Sequence, residues 1–242
     1  MYYLKQAIKR LINTAGFDLR RITPNANPAY QLLLGMNRFN VDIVFDVGAN
    51  AGQFAMELRT VGYKHGIVSF EPLSDASKLL AERAGRDPKW QVHRRGAIGD
   101  YDGEIEINIS GNSVSSSVLP MMEAHATAAA DSAYVASDKV PIYRLDSIAS
   151  EYLSGTNRPF IKIDTQGFEW QVLDGAAETL ARAQGVLCEL SLVPLYKGQH
   201  LWLDIIQRLE SEGFTLWSIQ LGFTDSRDGR TLQIDAVFFR DQ

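Results

Sequence analysis

The chain has 242 residues, of which 45% are apolar and 10% aromatic, and a formal net charge of -5. That is enough apolar material for a sizeable core, far from the low-hydrophobicity, high-charge regime of disordered chains. An acidic chain without a dense basic stretch excludes nucleic acid as its main substrate.

The length suits one α/β domain, residues 41 to 242, preceded by an extension of residues 1 to 40. Leu4, Ile8, Leu11 and Ile12 recur at helical spacing with Lys5, Lys9 and Arg10 on other faces, so the chain opens on a short basic amphipathic helix. Residues 1 to 13 are open to two roles, docking on the main domain or peripheral contact with an acidic membrane surface. The same stretch lacks the apolar core of a signal peptide. No run approaches the roughly 20 apolar residues of a membrane span. "TPNANP" reads as a loop. The single cysteine, Cys188 in "GVLCEL", reads as a small buried thiol. With no disulfide framework, a cytoplasmic location is expected.

From residue 41, apolar runs of strand length alternate with helical patterns. "DIVFDVG" and "GIVSFEP" are strands, "QFAMELRTVG" a helix, and "SDASKLLAERAG" a helix capped by Ser74 or Asp75. "WQVHRRGAIG" is a third strand and turn, and "GEIEINI" a strand with one polar face. "PFIKIDTQG" and "GVLCELS" are further buried strands with a helix between them near residues 168 to 182. "LWLDIIQRLESEG" is an amphipathic helix, and "FTLWSIQ" and "LQIDAVFFR" are two closing strands. This alternation specifies a mainly parallel sheet covered by helices on both faces, with an antiparallel edge and ligands at the carboxyl ends of its strands. Residues 110 to 137, rich in Ser and Ala, show no strand pattern and read as an active-site cover.

In "VFDVGANAGQF" a strand delivers Asp46, then Gly48, Asn50 and Gly52, and a helix begins. Glycines let a backbone approach a ligand closely, and a helix N-terminus offers free N–H groups. The next strand ends in Glu71, at the distance of roughly 20 residues where an acid accepts from ribose hydroxyls. Dinucleotide sites require G-x-G-x-x-G, and Asn50 and Gln53 stand where the second and third glycines belong. Asp46 at the mouth would repel pyrophosphate and suits a cation such as S-adenosylmethionine. A nicotinamide-dependent oxidoreductase and a non-catalytic cofactor- or glycan-binding module are the alternatives.

"FDVGANAGQF", "FEP", "AIGDYDGEIEI", "SVSSS", "LDSI" and "IKIDTQGFEWQVLDGA" followed by "LCELS" together resemble the FkbM family of S-adenosylmethionine-dependent methyltransferases. The resemblance covers residues 41 to 239 in order, and "KIDTQGFE" is its most specific block. It implies a Rossmann-like class I fold with a seven-stranded, mainly parallel sheet and an antiparallel C-terminal edge. It also implies O-methylation of a sugar or related natural product. Asp46, Gly48, Asn50 and Gly52 would form the cofactor loop, Glu71 would hold the ribose, and Ala97 with Ile98 would lie near adenine. Family sequences commonly carry asparagine before this last pair, where the chain has Arg95 and Gly96.

Methyl transfer to a hydroxyl needs a base to take its proton or a metal to lower its pKa. Asp164 and Glu189, each near the end of a neighbouring strand, can act as base and orienter. With Asp146 they are also candidate oxygen ligands for magnesium. Equally, Asp164 can cap the following helix, with Glu169 favouring its first turn. Lys162 points away from Ile161 and Ile163 and is expected to pair with a carboxylate. His65 and His93 read as structural, whereas His125 and His200 are alternative bases. No spacing suggests zinc. Ser115, Ser116 and Ser117 suit a polyol acceptor, with Trp170, Tyr196 and Trp202 as candidate stacking platforms.

Overall fold

A computed structural model describes residues 23–240 and, before them, residues 6, 10, 12–14, 16 and 17. The expected N-terminal basic helix rests mostly on residues outside this set.

The chain runs α1 (Pro28–Arg38), β1 (Ile43–Val47), α2 (Gln53–Val61), β2 (Gly66–Phe70), α3 (Ser74–Ala84), β3 (Trp90–Val92), β4 (Ala97–Ile98) and β5 (Gly103–Ser110). It continues through α4 (Glu123–Ala128), β6 (Tyr134–Tyr143), α5 (Leu145–Ile148), β7 (Pro159–Ile163), α6 (Glu169–Asp174), α7 (Ala177–Arg182), β8 (Gly185–Ser191), α8 (Trp202–Ser211), β9 (Phe214–Leu221) and β10 (Gln233–Arg240). Seven strands form one sheet in the order β3-β2-β1-β7-β8-β10-β9. All neighbours are parallel except β10, which is antiparallel to both β8 and β9. This is the mixed α/β, mostly parallel arrangement expected from the sequence.

Period-2 alternation sends successive side chains of the central strands to opposite faces. Phe45, Ile161 and Val186 pack with α5 to α8, whereas Val44, Phe160 and Leu187 pack with α1, α2 and α3. Burial on both faces explains why β1 and β7 are apolar at every position except Asp46 and Lys162, which pair with each other. Asn27 accepts from the Tyr30 N–H at 2.7 Å with Pro28 at the first helical turn, a strong start signal for α1.

Three local expectations differ from the structure. Residues 110 to 137 are not structureless: they hold α4 and the first residues of β6. β6 pairs antiparallel with β5 and parallel with β4 in a second, three-stranded sheet. Its first half is largely exposed, so "YVASDK" carries no apolar run to betray it. The helix expected near residues 168 to 182 is two helices, α6 and α7, broken at Gly175. A Cβ at Gly175 would collide with the Gly99 carbonyl, so the break seats the domain against the turn after β4. Finally, Leu73 is the N-cap of α3, and neither Ser74 nor Asp75 caps it. The Leu73 N–H donates instead to Glu71 at 2.8 Å.

Candidate active site

A cavity of about 380 Å³ opens at the carboxyl ends of β1, β2 and β7. Gly48, Asn50, Glu71, Ala97, Ile98 and Asp164 line it, whereas Asp46, Gly52 and Glu189 do not.

The loop after β1 is tightly wound. Gly48 has φ +74°, and a Cβ there would collide with the Asp164 carbonyl, so the ends of β1 and β7 meet at this glycine. The N–H groups of Gly48 and Ala49 both donate to the Phe70 carbonyl at 3.1 Å. Asn50 adopts φ +46° and donates its N–H to Glu71 Oε2 at 2.7 Å. Gly52 starts α2 at φ +86°, packed beneath Trp90. Glu71 is buried, and burial pushes its carboxyl up to about 7 despite the Leu73 and Asn50 N–H groups.

Asp46 lies beneath this loop and not at its mouth. It is fully buried, accepts from Ser69 Oγ at 3.1 Å and faces Lys162 Nζ at 3.4 Å. Burial raises its carboxyl, with Lys162 pulling the other way. Lys162 also donates to the Gly48 carbonyl at 2.9 Å and lies 3.4 Å from Asp164 Oδ2. Burial acts to lower the Lys162 ammonium, but Asp164 and Asp46 outweigh it and hold it above its usual range.

On the far side of Asp164 the backbone turns through Gln166 at φ +55° and Gly167 at φ +97°. Glu169 secures this turn by accepting from the N–H groups of Thr165 and Gly167, both at 3.0 Å. The second acid of the "KIDTQGFE" block is therefore a structural brace. Gln166, which the sequence reading passed over, is the hub. Its Nε2 donates to Asp164 at 2.9 Å and to Glu189 at 2.6 Å, and its Oε1 accepts from Tyr196 Oη at 2.8 Å. Its carbonyl accepts from Ser117 Oγ at 2.6 Å. Glu189 also accepts from Gln233 Nε2 at 2.7 Å, and burial pushes its carboxyl well above the usual range. A polar side chain between an acid and a glycine after a buried strand was the available signal for Gln166.

Other candidates are placed elsewhere. Asp146 caps α7, accepting from the Glu178 and Thr179 N–H groups at 2.9 and 2.8 Å, so it is not brought to Asp164 and Glu189 as a third metal ligand. Among the described residues no group of three or more His, Cys, Asp or Glu is assembled to hold a metal. Trp170 is stacked on the His200 ring at 3.9 Å and contacted by the Arg208 guanidinium at 4.5 Å, so its ring already has two partners within the protein. Tyr196 is fully buried, and Trp202 packs part-buried against the core. His125 is buried against Ser132, Tyr196 and Phe223, and His93 against Tyr152. Ser116 and Ser117 line the cavity, and Ser115 does not.

The lining includes Glu57, Glu71, Asp164 and Asp235 against Lys162 alone among its lysines and arginines. That excess of carboxylate favours a cationic ligand over pyrophosphate. The apolar walls at Phe70, Ala97, Ile98 and Phe168 suit a planar base. Glu71 has lone pairs to spare for ribose hydroxyls beyond its two backbone donors. These residues fit S-adenosylmethionine.

Among solved structures the chain is similar to the magnesium protoporphyrin IX methyltransferase ChlM of Synechocystis PCC 6803. The likeness has 10% identity and a TM-score of 0.48 over 98% of this chain and 97% of that one. It is also similar to TehB of Haemophilus influenzae, with 6% identity and a TM-score of 0.47 over 87% of this chain and 62% of that one. Both likenesses are remote. No curated protein matches the chain. The sequence profile of the methyltransferase FkbM domain matches residues 46–216, which contain the glycine loop, Glu71, Asp164, Gln166 and Glu189, and the chain therefore belongs to the FkbM methyltransferase family.

Proposed function

We propose that this S-adenosylmethionine-dependent methyltransferase transfers its methyl group to a hydroxyl oxygen of a sugar, glycan or related natural product in the cytoplasm. The observation that carries this reading is the Asp164 carboxylate in the cavity wall, with Gln166 donating to it and the Ser116 and Ser117 side chains in the same lining. The cofactor supplies an electrophilic methyl group on a sulfonium. Asp164 would take the acceptor's hydroxyl proton as that oxygen bonds to the methyl carbon, while the methyl–sulfur bond breaks with its electron pair on sulfur and S-adenosylhomocysteine leaves. Lys162 and Gln166 hold the carboxylate in place, and Glu189 orients Gln166 from behind. Residues 110 to 137 act as the cover: Ser117 bonds Gln166, and Asn50 Nδ2 donates to Ser113 Oγ at 3.4 Å.

The test incubates the protein with methyl-deuterated S-adenosylmethionine and a panel of methyl glycosides and host glycans, with the label located by mass spectrometry and NMR. Label on an oxygen supports the reading, and label on nitrogen or carbon, or on nothing, overturns it. Asp164→Ala is expected to keep cofactor affinity and lower turnover by about 10²- to 10⁴-fold. Retained turnover removes Asp164 from the chemistry. Tight binding of NAD without binding of S-adenosylhomocysteine would return the chain to the oxidoreductase alternative.

A further inference from the structure

The cavity lining also takes in Ala29 and Leu32 of α1, Phe54 of α2, Leu187 of β8 and Asp235 of β10. Lys162 lies opposite Leu187, Leu187 opposite Val237, and Asp235 two residues from Val237 on the same strand, so both charged side chains are on one face of the sheet.

Asp46, the acid of the glycine loop, is not available to a cationic ligand. It is sealed from solvent and faced by Lys162, which also occupies the Gly48 carbonyl. Of the other lining carboxylates, Glu71 holds two backbone N–H groups and Asp164 holds Lys162 and Gln166. Glu57 is exposed to solvent. Asp235 is part-buried and takes no hydrogen bond or ion pair from any described residue, although it lines the cavity. Burial pushes its carboxyl up to about 6, with Asp164 adding to the rise and Lys162 opposing it, so it is an anion at neutral pH. A part-buried carboxylate without a partner is costly unless a ligand supplies one.

We infer that Asp235 anchors the ammonium of the cofactor's amino-acid end, with the apolar side chains of Ala29, Leu32 and Phe54 covering the methylenes. The inference rests on the cofactor assignment. Asp235 lies outside the segment matched by the family profile, so this anchor is a property of the chain's own closing strand.

The experiment is calorimetry with S-adenosylhomocysteine and with 5′-methylthioadenosine, which keeps the nucleoside and thioether but lacks the amino-acid end. The wild type binds the first more tightly. Asp235→Asn weakens S-adenosylhomocysteine by about 10- to 100-fold, as expected for one charge-assisted hydrogen bond, and leaves methylthioadenosine within about 2-fold. Asp235→Ser repeats the result, and both variants melt no lower than the wild type because no partner of Asp235 is lost. An unchanged S-adenosylhomocysteine affinity, or equal losses for both compounds, overturns the anchor while leaving the methyltransferase reading intact. A wild type that binds neither compound overturns both.

Discussion

The Lys162 ammonium lies 3.4 Å from the carboxylate of Asp46 on the adjacent strand, with Asp46 sealed from solvent and Lys162 almost so. Such a pair is sensitive to the loss of one member, because the other stays buried and uncompensated. Lys162→Met is expected to destabilise the protein by about 3 to 5 kcal/mol. Lys162→Met combined with Asp46→Leu recovers most of that loss. Equilibrium denaturation in urea measures both, and a double variant no more stable than the single one would count against this coupling.

Gly48→Ala is expected to be severe for two reasons: the residue sits at φ +74°, and the new methyl meets the Asp164 carbonyl. The variant should lose several kcal/mol of stability or fail to accumulate as folded protein. Gly155→Ala, with open space around the added methyl, should stay within about 0.5 kcal/mol of wild type. Thermal melting of the two side by side checks the contrast.

Glu71 accepts the Asn50 and Leu73 N–H groups, and on the proposed reading it also holds the ribose. Glu71→Ala should weaken S-adenosylhomocysteine and 5′-methylthioadenosine to the same degree, by about 10- to 100-fold. Calorimetry decides it, and a loss confined to S-adenosylhomocysteine would move Glu71 away from the ribose.

Burial pushes the carboxyls of Glu71 and Glu169 up to about 7. In the unfolded chain such groups titrate near 4.5, so between these values the folded state binds more protons, and stability is lost as pH rises through 7. His93 and His125, held below their ordinary value mainly by burial, act in the opposite sense as pH rises through about 6.5 and offset part of this loss. Between pH 6.5 and 8 the ligand-free protein should therefore lose about 1 to 2 kcal/mol. Scanning fluorimetry that shows a flat or rising melting temperature across this window would refute the assignment.

Much of the sheet was legible because β1, β7 and β8 are buried on both faces and read as apolar runs, each broken by a single charged residue, Asp46, Lys162 or Glu189. β6 was not, since its exposed half carries Ser, Asp and Lys like any loop. The glycine turn and Glu71 were legible from spacing. The fate of Asp46 was not, because it depends on the register that places Lys162 directly across from it. A sequence shows that Lys162 points away from Ile161 and Ile163, but not which neighbouring carboxylate it meets. Asp235 offered a signal, an acid inside the apolar run "LQIDAVFFR", whose meaning appears only once β10 is seen beside β8.

The order β8-β10-β9 also governs how the chain is made. β9 leaves the ribosome before β10 yet has no neighbour in the sheet until β10 arrives, and in the interval its Trp217, Ile219 and Leu221 lack the strand that will fix them. The edge of the sheet is thus completed by its latest-made strand, which also carries the cavity residue Asp235. The pocket is consequently completed only once β10 has been made, and a nascent chain stalled before residue 233 would hold the glycine loop and Glu71 without Asp235.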